Sequence, residues 1–177
     1  MNQNEINWED SGLTAIIEHL LQHHHPYTKS ALQRLSPVME NVLHAHGEAH
    51  PELRELAPLF YRLKDDMDQH LMKEEIILFP YFRILDAEAN PPRPGFGTVE
   101  NPIRMMTVEH HNDGLILHQM LTVTHNFTLP NNACASFTDL YQGLHELVKD
   151  LFQHIYLENN ILFVKAIALE KAKLGQS

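Results

Sequence analysis

Apolar residues recur along this chain at alternating steps of three and four, the spacing that gathers them on one face of an α-helix. Leu13, Ile16, Ile17, Leu20 and Leu21, then Leu32, Leu35, Met39 and Val42, predict a first helix over about 13–46, kinked but not ended by Pro26. Leu56, Phe60, Leu63, Met67, His70, Glu74 and Ile77 lie on one face of a second, over about 53–85. A third, over about 102–126, has Asn101 as its N-cap and Pro102 at its first position. Leu140, Leu144, Leu147, Leu151, His154, Glu158 and Ile161 mark a fourth, over about 134–170. Gly and Pro gather between these segments, and no strand pattern competes. Four long helices with short connections predict an all-α antiparallel four-helix bundle over residues 13–170, flanked by tails at 1–12 and 171–177.

The second and fourth stripes each carry a His and a Glu where the core should continue. A buried, unpaired carboxylate costs several kcal/mol, so a chain that does this twice must compensate the charge, and a metal ion is the natural means. The two places are written alike. His70, Glu74, Leu78 and Phe79 match His154, Glu158, Leu162 and Phe163 as H-x3-E-x3-L-F, 84 residues apart. A pseudo-twofold axis relating the two halves would then pair His25 with His110, at an offset of 85. Helical periodicity alone admits His24 beside His25 and His111 beside His110. The implied set is His25, His70, His110 and His154 with Glu74 and Glu158, four imidazoles and two carboxylates facing inward. This mixture of nitrogen and oxygen donors suits a pair of iron ions better than a closed structural zinc site. If both glutamates bridge, each metal keeps an open position for oxygen, peroxide or nitric oxide. Asp66, one turn before His70, and Glu109, next to His110, could accept a ligand imidazole N–H or line an iron path.

Composition narrows the alternatives. A formal charge of -10, from 13 Lys and Arg against 23 Asp and Glu, argues against nucleic acid and anionic membrane partners. Cys134 is the single cysteine, which rules out an internal disulfide and a Cys-rich metal site and fits a reducing compartment. No charged-then-apolar leader and no run of about 18 apolar residues is seen, so a cytoplasmic location is expected.

The runs His70-Leu-Met-Lys-Glu74-Glu-Ile-Ile-Leu-Phe-Pro80, Val108-Glu-His110 and His154-Ile-Tyr-Leu-Glu158-Asn-Asn-Ile-Leu-Phe163 resemble the hemerythrin-like domain of the repair-of-iron-centres proteins. The resemblance spans nearly the whole chain. It implies a hemerythrin-like bundle with two iron ions in an oxo- or hydroxo-bridged di-iron centre, Glu74 and Glu158 being the bridging carboxylates. It also implies a role in restoring iron–sulfur clusters after nitrosative or oxidative stress by supplying iron. Damaged iron–sulfur proteins and small diatomic ligands such as nitric oxide or oxygen would be the partners. Longer members of that family begin with a small domain carrying a cysteine pair, whereas a polar heptapeptide precedes Trp8 here. His46 matches a further signature, but 21 helical residues separate it from His25, about 30 Å, so it is set aside. The competing expectation is a hemerythrin-type oxygen carrier or sensor, which favours an asymmetric set of five histidines. A ferritin-like oxidase would call for more carboxylates.

Overall fold

Each of the four periodic segments folds as a helical rod, and three of the four rods are interrupted once by a π turn. The computed structural model describes residues 7–175. The first rod comprises α1 (Leu13–His19), a π turn (Leu20–His24) and α2 (His25–His46); the second comprises α3 (Glu52–Lys73), a π turn (Glu74–Leu78) and α4 (Phe79–Ala87). The third is one unbroken helix, α5 (Glu100–Val123). The fourth comprises α6 (Ala135–Leu157), a π turn (Glu158–Leu162) and α7 (Phe163–Leu174). In the expected amino-terminal tail, Trp8–Asp10 forms a short 3-10 turn; residues 1–6 and 176–177 of the two tails lie outside the described residues. No strand occurs among the described residues, and none of their helices is long and apolar enough to cross a membrane.

α2 packs between α6 and α3, α5 packs on α3, and α5 closes the ring against α6. At the opposite end α4 lies between α1 and α7. The core is therefore divided along the bundle axis. One apolar cluster, including Leu35, Phe60, Leu63, Phe137 and Leu151, fills the α2/α3/α6 end. Another, including Ile16, Phe82, Ile103 and Phe163, fills the α1/α4/α7 end.

Two expectations need correction. The stripe does not continue through Ile77, which is 50% exposed; Leu78, 2% exposed, takes the inward place. The π turn is the reason. Phe79 N–H bonds to the carbonyl of Glu74, and Phe163 N–H to that of Glu158, five residues back rather than four, so each rod gains a residue and its inward face shifts by one. The third helix also starts earlier than Asn101. Thr98 Oγ1 accepts the N–H of Glu100, and the buried carboxylate of Glu170 on α7 accepts that of Val99 at 3.1 Å. Pro26 does not end its rod. It follows a π turn, as Pro80 does, where the helix restarts and a missing N–H costs least. Val164 holds the corresponding place in the fourth rod, so the turn itself does not depend on proline.

Candidate metal centre

All three π turns border the layer between the two apolar clusters, and that layer holds the six inward His and Glu residues. Glu74 and Glu158 each open a π turn, and His25 follows one directly. The donor atoms form two tetrads that share both glutamates, His25/Glu74/His154/Glu158 and His70/Glu74/His110/Glu158, with the atoms of each tetrad within 4.8 Å of one another. His24 and His111 belong to neither. His24 is buried with Nδ1 3.0 Å from Asp150, and His111 is exposed. His46 ends α2 at the far end of the bundle, with Nε2 3.1 Å from Cys134 Sγ.

The donor set fits a metal. All six residues are at most 2% exposed, yet none of the four carboxylate oxygens of Glu74 and Glu158 has a hydrogen-bond partner, nor does Nε2 of His25 or His154. Left so, each such group would carry a desolvation cost of about 1–3 kcal/mol or more. The nitrogen–oxygen separations are 3.2 Å for His70 and Glu74, 3.0 Å for His154 and Glu158, 3.2 Å for His110 and Glu158, and 3.6 Å for His25 and Glu74. Donors bound to one ion at about 2.1 Å and at right angles stand about 3 Å apart, so these are spacings of atoms around a shared cation.

Three of the four imidazoles are oriented from outside. His25 Nδ1 donates to Glu75 at 2.9 Å, His70 Nδ1 to Glu109 at 3.1 Å and His110 Nδ1 to Asn159 at 2.8 Å. A proton fixed on Nδ1 leaves the Nε2 lone pair for the interior. Lys29 and Lys73 in turn hold Glu75 and Glu109. Asp66 does not reach an imidazole in this arrangement; it pairs with Arg62 at 3.6 Å and, with Glu109 and Asp113, lines a polar recess of about 200 Å³.

The charges are strongly coupled. Burial opposes a proton on His70, but Glu74, Glu109 and Glu158 outweigh it and push its pKa up to about 11. At His154 burial is likewise overcome by Glu158, and the pKa rises; at His25 burial and the neighbouring His154 prevail, and it falls. Burial would raise Glu158, yet His154 and His110 hold it well below the usual carboxylate range. The hydrogen bond from His70 keeps Glu109 at about 2. Protons thus occupy part of the charge balance a cation would supply, and binding one would displace them.

The structure brings together the six residues expected from the sequence, with Glu109 behind His70, and adds Glu75, Asn159 and Asp113, which the sequence had not singled out. The first two were within reach of the half-repeat offset, since Glu75 follows Glu74 as Asn159 follows Glu158. Asp113, 2% exposed with burial pushing it up to about 6, sits three residues after His110, as buried Thr28 does after His25.

The model of the hemerythrin HHE cation binding domain matches residues 16–166. Over 168 residues the chain is 34% identical to an iron-sulfur cluster repair protein YtfE of Cronobacter sakazakii, covering 94% of this chain and 72% of the relative. The protein of the same name in Musicola paradisiaca is 36% identical over 163 residues, 92% of this chain and 69% of that one. That of Escherichia coli O81 is 33% identical over 167 residues, 94% and 71% respectively.

Proposed function

We propose, because the chain belongs to the hemerythrin HHE cation-binding domain family, that it holds two irons in the His/Glu layer and serves the repair of damaged iron–sulfur clusters by releasing that iron. The observation that carries this is the pair of tetrads sharing two fully buried glutamates whose oxygens have no other partner. His25 and His154 would hold one cation, His70 and His110 the other, with Glu74 and Glu158 facing both. Iron bound there supplies a redox-active, Lewis-acidic centre able to meet nitric oxide or oxygen.

The protein's own residues do the rest. The apolar clusters on both sides exclude water from the layer, and Glu75, Glu109 and Asn159 set the imidazole tautomers. Asp66, Glu109 and Asp113, two of them paired with Arg62 and Lys73, line the polar recess beside His70. An oxygen-carrier role would call for a fifth imidazole on one side. His24 and His46 stand outside both tetrads, which counts against it.

Iron content and release test the proposal together. Protein made with adequate iron should contain about two irons per chain, absorb as an oxo- or hydroxo-bridged diferric pair, and lose iron to a mild chelator much faster after reduction. One metal per chain, or tight retention after reduction with reversible oxygen binding, would overturn it.

A further inference from the structure

The two tetrads have matching inner donors and unequal outer support. Around His70 and His110 both imidazoles are held from outside, by Glu109 at 3.1 Å and by Asn159 at 2.8 Å. Around His25 and His154 only the first is held, by Glu75 at 2.9 Å; His154 Nδ1 is buried without a hydrogen-bond partner. The two carboxylate supports are equivalent, because each also takes a lysine ammonium, Glu75 from Lys29 at 2.7 Å and Glu109 from Lys73 at 2.6 Å. Once these cancel, one difference remains: Asn159 stands behind His110, and nothing accepts from His154.

The pseudo-twofold relation shows how this arises. Glu109 precedes His110, and the corresponding residue before His25 is His24. His24 stacks on His154, with ring centroids 5.6 Å apart and planes 25° from parallel, and commits its Nδ1 to Asp150. It covers the ligand ring without accepting its proton. A recess of about 410 Å³, bounded in part by Trp8, His19, His24 and Tyr156, lies on that side of the bundle.

We infer that the two cations of the centre are held unequally, and that the one at His25 and His154 is released first. This rests on the iron-handling function proposed above. An acceptor behind a ligating imidazole fixes the ring and raises its basicity, and losing one such acceptor lowers metal affinity about 10- to 100-fold. The His70/His110 position keeps both acceptors, so the centre gives up one iron while the other still ties the second, third and fourth rods together.

The test uses the iron-loaded full chain, reduced and mixed with a chromogenic ferrous chelator. Release should show two phases of equal amplitude, with rates about 10- to 100-fold apart. Crystals soaked briefly in the chelator should lose anomalous scattering first between His25 and His154. His24→Gln puts an amide at the position that corresponds to Glu109, which accepts from His70, and should slow the fast phase while leaving the slow one unchanged. Asn159→Leu removes the acceptor behind His110 and should speed the slow phase towards the fast. A chain that never holds two irons defeats the underlying function. Two irons leaving at one rate, first loss between His70 and His110, or each variant acting on the opposite phase would overturn this assignment alone, and the wild-type crystals decide it even if a variant fails to fold.

Discussion

Phe60 and Glu158 are both wholly buried, and they are buried for opposite reasons. Phe60 belongs to the apolar cluster among α2, α3 and α6, where removal from water is itself the stabilising term, about 25 cal/mol per Å² of apolar surface. Glu158 lies in the polar layer one step along the axis, where the same removal from water is a cost that its histidine neighbours must offset. The bundle thus separates what folds it from what it binds. Two apolar ends hold the rods in register, and the layer between them tolerates groups that no core would choose for stability.

The largest effect is expected on the apolar side. Phe60→Ala should lower unfolding free energy by about 3–5 kcal/mol, through lost burial and the cavity left among tightly packed neighbours. Because Phe60 touches none of the tetrads, the loss should be similar with and without iron, and the iron bound per folded chain should not change. Urea denaturation of both forms, with metal analysis of the folded fraction, measures this. A variant that folds well but no longer binds iron would show that the two regions are not separable.

The layer should respond with the opposite sign. Glu158→Leu, and equally Glu74→Leu, removes a buried carboxylate whose oxygens face only the histidines of the layer and accept no hydrogen bond, so the metal-free bundle should be as stable as wild type or more so, by at most about 1–3 kcal/mol. Losing Glu158 also removes the main group that raises the His154 pKa. The gain is limited by how well leucine packs into a space shaped for a carboxylate. With iron the order should reverse, because a lost metal ligand is lost binding energy and so lost folding energy. Denaturation curves with and without iron decide it; a metal-free variant several kcal/mol weaker than wild type would make these glutamates structural.

This contrast also explains what could be read from the chain. The helices were legible because the apolar stripes repeat over many turns, and the H-x3-E pairs because they break those stripes twice at one offset. The π turns were not, since nothing in Glu74 to Leu78 or Glu158 to Leu162 departs from helical composition; only burial reveals that Leu78 and Leu162 replace Ile77 and Ile161 inside. The offset pointed to His25 and His110, while the choice against His24 and His111 needed the fold. Of the outer supports Glu109 was legible beside His110, but Glu75 and Asn159 read as surface residues until His25 and His110 are seen to face them.

Asp113 offers a smaller and more selective probe of the layer. Its carboxyl is buried one turn beyond His110, with Oδ2 unpartnered. Burial raises it to about 6 from an ordinary 3.8; nearby Asp66 and Glu109 add to the rise, and His70 and His110 oppose it. The folded state therefore binds this proton more tightly than the unfolded chain does. Between pH 3.8 and about 6 the native protein carries the excess proton, so rising pH costs stability across that window, and above it the cost is fully present. Asp113→Asn removes the titration. The shift alone would return up to about 3 kcal/mol at neutral pH, but the amide inherits the same unpartnered position, so a net gain of about 1–2 kcal/mol is expected. At the acid end, near pH 4, the variant should be the less stable by about 1 kcal/mol, and the difference should move in its favour as pH rises to about 6 and then level off. Iron should close most of it, because cations beside His70 and His110 favour the ionised carboxylate that the metal-free layer resists. Denaturation midpoints of wild type and Asp113→Asn from pH 4 to 8, with and without iron, test each part. A metal-free difference independent of pH would mean that the substitution acts through packing rather than through the buried charge.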